Sequence, residues 1–302
     1  MNLRASRALV GMFAILLACS PFQAEAAIRN DYANGRFVRQ LNRGFKAFYA
    51  RKFVVAEAAF TRALAIIPDN TLAMAFEDAA ATYIPGGLDR LHDAAQRAVA
   101  QHPRYDGYVK LGFVQLFESQ SGLDDTSNAQ RQFSRAYAMQ PNAAAAHVGR
   151  GIAAMRARSL NAAKGEFLVA LQANPTDALA GEYIGSIYQA DLKEPQIALR
   201  YALTVGNAVP DYADIQFHIG SILNDLHQRS AAIDYLTHGL ELDSGRVGEA
   251  GQFGLTLLAQ VYIADHKMND AKRVLAAAVH ENLDAGFAST LLAKIAKGDY
   301  NH

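Results

Sequence analysis

The 302-residue chain has one cysteine, Cys19, and no tryptophan. A single thiol cannot build a disulfide framework or a cysteine-based zinc site. Charge is also scarce: charged residues make up 19% of the chain, and 29 basic residues balance 29 acidic ones to a formal net charge of zero. That balance offers no cationic excess to attract nucleic acid or an anionic membrane surface. The local signatures of catalysis are missing as well. No His-Glu-x-x-His and no Gly-x-Ser-x-Gly occurs, and Pro85-Gly86-Gly87 has neither the preceding strand nor the Gly-Lys-Ser/Thr ending of a phosphate-binding loop. His218 and His227, and likewise His266 and His280, are not one helical turn apart, so they make no ligand pair on one face. Asp124-Asp125-Thr126-Ser127-Asn128 lacks the glycine and the closing glutamate of a calcium loop. Ser127-x-x-Gln130 reads instead as a helix-capping box. No cofactor and no metal is expected, and an enzyme here would need a dispersed site that no local spacing reveals.

What is present begins with an address. Residues 1–7 carry Arg4 and Arg7, residues 8–18 are an apolar and small-residue run, and Ala24-Glu25-Ala26 follows Pro21. A charged start, an apolar middle and a small-residue exit describe a secretory signal peptide, predicted over residues 1–26. A permanent span is the competing reading. Eleven residues rise about 16 Å as a helix, short of the roughly 30 Å hydrocarbon core. Two cuts remain open: ordinary cleavage after Ala26, or lipidation at Cys19, since Leu16-Leu17-Ala18-Cys19 resembles a bacterial lipobox apart from its bulky Leu17. The expected location is the periplasm, soluble or as an outer-membrane lipoprotein. A lipid on Cys19 would be the only membrane attachment.

Beyond residue 36 the chain is periodic. Pro68, Pro103, Pro141, Pro175 and Pro210 are spaced by 35, 38, 34 and 35 residues. Gly44, Ala79, Gly112, Gly151, Gly185, Gly220 and Ala259 recur at 35, 33, 39, 34, 35 and 39. Small residues at fixed intervals let helices approach closely, and proline ends a helix because it lacks the donor and clashes with the preceding turn. The spacing predicts helix pairs in which the first small residue faces the alanine of the partner helix, with an aromatic filling the space beyond. One pair cannot bury its apolar face alone, so successive pairs stack into a shared core.

These residues resemble the tetratricopeptide repeat (TPR) family, whose 34-residue repeat carries small residues at about positions 8, 20 and 27, an aromatic at about 24 and proline at about 32. The first repeat matches with Gly44, Ala56, Phe60, Ala63 and Pro68, and the fourth with Gly151, Ala163, Phe167, Ala170 and Pro175. The third has Gly112, Ala129, Phe133, Ala136 and Pro141, with five extra residues between its helices. The second is degenerate, with Leu91 in place of a small residue, and the sixth has Ser244 where proline would sit. The resemblance implies an all-α fold, an α-solenoid of about seven helix hairpins over residues 37–283. A loop over 27–36 precedes it, and a capping helix over Ala285–Lys297 within residues 284–302 closes it.

The same resemblance implies a concave groove lined by the first helix of each repeat. The groove residues carried over are Phe45, Phe48 and Tyr49, then Phe113, Leu116 and Phe117, then Ile152, Met155 and Arg156. Glu182, Asp214, Asn224 and Asp225 follow, so the expected wall is aromatic at one end and acidic at the other. Either these aromatics form a binding patch, or they are buried by the superhelix turning in on itself or by the segment before residue 37. The implied function is a non-catalytic scaffold in the bacterial envelope, binding an apolar or amphipathic segment of other envelope proteins and no nucleic acid. A periplasmic subunit of an exopolysaccharide secretion or biofilm-assembly system is the alternative, and an envelope hydrolase with a dispersed site the third.

Overall fold

The computed structural model describes residues 29–119 and 126–299. The expected leader, Cys19, Asp124, Asp125 and the last three residues lie outside the described part. Within it every regular element is helical, and fifteen α-helices follow one another as seven antiparallel hairpins and a final helix. The hairpins are α1 (Gly35–Tyr49) with α2 (Phe53–Leu64), α3 (Thr71–Thr82) with α4 (Gly87–Gln101), and α5 (Tyr105–Glu118) with α6 (Ser127–Met139). Then come α7 (Ala144–Arg156) with α8 (Leu160–Ala173), and α9 (Ala178–Ser186), prolonged by a π-turn over Ile187–Asp191, with α10 (Pro195–Ala208). Last are α11 (Ala213–Asp225) with α12 (Arg229–Leu242), α13 (Glu249–Ala264) with α14 (Met268–His280), and the terminal α15 (Ala285–Lys297), which packs on α14. None of the described helices is long and apolar enough to cross a membrane.

Prolines end the outer helices as their chemistry requires. Pro103 and Pro141 each stand two residues after the last residue of α4 and α6, and Pro175 and Pro210 do the same after α8 and α10. The hairpin turns use a different device. Arg51, Arg158, Lys193, His227 and His266 all adopt positive φ of 56–59° directly after their inner helices. The next amide reaches back into the helix, as in Lys52 N to Ala47 O at 2.8 Å, Ser159 N to Ala154 O at 2.9 Å and Gln228 N to Leu223 O at 2.9 Å. This is the Schellman ending, usually made with glycine. Here its left-handed residue is cationic or histidine, which suits the negative end of the helix dipole.

Packing inside a hairpin differs in one respect from the arrangement expected. In three repeats the small residue faces the aromatic ring itself. A Cβ on Gly44 would lie 2.4 Å from the Phe60 ring, on Gly112 2.5 Å from Phe133, and on Gly151 2.6 Å from Phe167. Gly149 presses on the same Phe133 ring from the next hairpin, where a Cβ would come within 2.2 Å. In the fifth repeat the small residue does meet backbone opposite, a Cβ on Gly185 lying 3.5 Å from Ala198 O, whereas in the sixth a Cβ on Gly220 would meet the Leu236 side chain at 2.7 Å before Ala232 O at 3.2 Å.

Two local expectations are corrected. The segment before residue 37 is not all loop: Asp31–Ala33 form a 3-10 turn, and α1 starts at Gly35 because the Asn34 side chain accepts from the amides of Arg36 and Phe37. The capping box at Ser127 is not formed. Ser127 is already helical, Thr126 is the N-cap, and Gln130 donates to the Thr126 hydroxyl at 3.1 Å instead.

Candidate functional site

The inner helices do not surround an open groove along their whole length. The solenoid curls until its first two hairpins touch the fifth and sixth. Phe45 of α1 stacks on Tyr212 at 5.6 Å with planes 8° apart, and Phe76 of α3 meets the same ring edge-on at 5.4 Å. The Gly245 amide donates to Tyr49 O at 2.6 Å, and the Tyr49 hydroxyl stands 3.4 Å from Asp214 Oδ2. Farther along the seam Thr71 Oγ1 donates to Asp177 at 2.9 Å. The N-terminal strap crosses there too: Arg29 pairs with Asp31 at 2.6 Å and Asp69 at 2.7 Å, while its carbonyl accepts from Thr176 Oγ1 at 3.4 Å. Asn70 completes the knot by donating to Asp31 Oδ2 at 2.8 Å.

Closure covers Phe45 and Tyr49, while Phe48 packs on Phe53, Phe76 and Tyr83 of the first two hairpins and Phe113 on Phe133 of its own. Phe45, Phe48 and Tyr49 are buried, and so are Phe113, Leu116 and Ile152. The aromatic wall is therefore core rather than open patch: the superhelix turning in on itself covers Phe45 and Tyr49, and neighbouring helices cover Phe48 and Phe113. Glu182 and Asp214, expected on an acidic wall, sit in the same seam. Tyr212 Oη donates to Glu182 Oε2 at 2.5 Å, and His218 lies between Glu182 at 3.4 Å and Glu249 at 2.8 Å. Burial pushes the Asp214 carboxyl up to about 7, partly countered by the Ala250 amide that donates to it. Burial alone would lower His218, but its hydrogen bond to Glu249 and the charge of Glu182 hold it up at about 9. Burial likewise raises Glu182. This cluster is a structural joint whose partners are already taken. Among the described residues no group of three or more histidine, cysteine or acidic side chains is placed to hold a metal ion.

A part of the inner surface stays open where α5, α7, the α9 π-turn and α11 end. Phe117, Met155, Arg156 and Asn224 are half-buried there, and Asp225 is exposed. Side-chain hydrogen bonds tie its ends in pairs. Arg156 Nη1 donates to Leu116 O and, at 2.7 Å, to Ser119 Oγ, linking α7 to α5. Gln189 Nε2 donates to Ser221 Oγ at 3.0 Å and Asp225 Oδ2 at 2.7 Å, linking the fifth repeat to the sixth. The candidate residues thus divide into two sets, one buried in the seam or between neighbouring hairpins and one still accessible.

Sequence reasoning missed the partners that make the seam: Tyr212, Gly245, Thr71, Asp177 and Arg29. One signal was visible. The sixth repeat has Ser244-Gly245 where each of the first five ends in proline. A Cβ at Gly245 would come within 2.5 Å of Tyr49 O, so the departure from the repeat marks the point of close approach.

No family model matches the chain, and no curated protein matches it by sequence. Solved structures do match by shape. Pseudomonas aeruginosa PilF aligns over 70% of this chain and 91% of its own, at 15% identity and a TM-score of 0.56. YrrB, described as a TPR protein with an unusual peptide-binding site, aligns over 66% of this chain and 98% of its own, at 19% identity and a TM-score of 0.51. Human IFIT1, solved as a dimer with PPP-AAAA, aligns over 77% of this chain and 56% of its own, at 17% identity and a TM-score of 0.53. At such identities the likeness establishes the fold, which is that of a TPR solenoid.

Proposed function

We propose that this TPR-fold chain is an exported, non-catalytic adaptor that binds an amphipathic segment of another envelope protein. The observation that carries the reading is the open band at the ends of α5, α7 and α11, the stretch of inner surface that closure leaves accessible. Phe117 and Met155 supply apolar contact, Arg156, Gln189 and Asn224 supply hydrogen-bonding groups, and Asp225 supplies an exposed negative charge. A segment with an apolar side and a basic residue complements that order. Partly exposed aromatic and methionine side chains on a preformed surface are the usual anchors of such binding. The non-catalytic part rests on the titratable groups of the seam, which are occupied in holding the ring together. Export rests on the leader over residues 1–26, and the lipid-anchored form on Cys19.

Affinity capture from envelope extracts tests the band. Met155→Glu and Asp225→Arg should lose the partner that the parent chain retains, while Val169→Glu on exposed α8 should keep it. Equal recovery by all variants would remove the band as the binding surface. The intact mass of the purified protein separates cleavage after Ala26 from a lipidated Cys19.

A further inference from the structure

The seam also encloses a cleft that the adaptor reading does not use. It has a volume of about 550 Å³ and lies between α1 and the far side of the closure. Pockets for small ligands run from roughly 300 to 1,000 Å³. One wall is α1, with Asn42, Arg43, Lys46, Tyr49 and Ala50; the other is Asp211 with Glu241, Leu242 and Ser244 at the end of α12. The two walls carry opposite charge. Arg43 and Lys46 are exposed on the first, and Glu241 is exposed and Asp211 half-buried on the second. Among the described residues none of these four has a charged partner. The C-terminus of α12, at Leu242, adds the negative end of its dipole to the acidic wall. Between the walls Tyr49 and Leu242 form an apolar floor.

We propose that this cleft binds a short zwitterionic peptide, its carboxylate toward Arg43 and Lys46 and its ammonium toward Asp211, Glu241 and the end of α12. A ligand of one charge would satisfy one wall and be repelled by the other, and a neutral one would leave both unpaired. A free peptide of about three residues spans roughly 10 Å between its termini and carries an apolar side chain for the floor. Isolated surface ion pairs contribute little. Here two sets of charges face one recess that is partly shielded from water, and a rigid ligand of matching polarity engages both at once. Because the walls belong to the first repeat and to the fifth and sixth, the bound peptide also bridges the closure and holds it shut.

Isothermal titration with the tripeptide Ala-Leu-Ala tests this on the purified protein. The free peptide should bind and raise the melting temperature, and the same peptide acetylated and amidated should bind about tenfold more weakly or worse. Lys46→Glu and Glu241→Lys should each weaken the free peptide by a similar factor, and the double exchange should restore part of the affinity with the ligand reversed. Both positions are exposed, and a circular dichroism spectrum checks that the fold is kept. If a variant fails to fold, the comparison of free and blocked peptide on the parent chain decides alone. Absence of binding by the free peptide, equal binding by the blocked one, or indifference to Lys46→Glu in a folded variant would overturn the assignment.

Discussion

Gly245 donates its amide to the carbonyl of Tyr49 at 2.6 Å, and a Cβ on Gly245 would sit 2.5 Å from that same oxygen. The bond joins the first hairpin to the turn after the sixth, so it is a closing contact of the ring. It tolerates no side chain.

Gly245→Ala should therefore open the seam. Relief of the overlap costs contacts on both sides, about 1–3 kcal/mol by analogy with overpacked cores. The melting temperature should fall, the radius of gyration in solution scattering should rise, and Phe45 and Tyr212 should become accessible to an apolar dye. An unchanged radius of gyration and unchanged dye binding would mean that the ring closes without this contact.

The glycines inside the hairpins should separate into two kinds. Gly151→Leu drives a branched side chain into the Phe167 ring and should destabilise by about 1–3 kcal/mol. Gly165, in the middle of α8, has nothing within 4 Å of a built Cβ. Gly165→Ala should stabilise by roughly 0.5–1 kcal/mol, because alanine loses less backbone freedom in a helix. Chemical denaturation of both variants measures the contrast, and two effects of the same sign would count against ring-on-glycine packing.

The left-handed turn residues give a third contrast. Arg158 has φ of 56°. Arg158→Gly should be near neutral, since relief of strain is offset by loss of the charge at the helix end. Arg158→Val places a β-branched residue in that conformation and should cost about 1–2 kcal/mol more than glycine. If valine and glycine melt alike, the turn has another conformation in solution.

Stability should depend on pH through the buried groups. Burial raises Asp78 to about 7, Asp177 to about 6 and Asp214 to about 7 from an ordinary value near 3.8. A raised carboxyl contributes stability that is full below its unfolded value and is lost as pH climbs through the folded one. His218, held up at about 9 from 6.5, contributes stability that is lost as pH rises through 9. Both losses run the same way. The chain should melt higher at pH 5.5 than at pH 8.5, by the equivalent of at least about 1 kcal/mol, and Asp214→Asn should flatten part of the difference. A melting temperature that rises with pH over this range would contradict the burial of these groups.

The repeating pattern was legible because it is local. Gly44 with Phe60, Gly151 with Phe167, and prolines after the outer helices each act within one hairpin or between neighbours, so their spacing along the chain reports their spacing in space. The band residues Phe117, Met155 and Asp225 were legible for the same reason, as a consequence of which face of an inner helix points inward. Ser127 was misplaced by one residue: the helix starts at Ser127 with Thr126 as its N-cap, whose hydroxyl accepts from the Gln130 side chain rather than from a backbone amide.

The amino-acid sequence by itself determined the hairpins, their order and their stacking, since helix periodicity and small-residue contacts need only near neighbours. Whether the inner wall is groove or core was decided only in three dimensions. The small rotation between successive hairpins accumulates over five repeats before Phe45 reaches Tyr212 and Tyr49 reaches Gly245, and no single repeat carries that sum. Tertiary closure thus turned an aromatic surface into an interior, because each of those rings loses more water against its distant partner than it would retain facing an open groove.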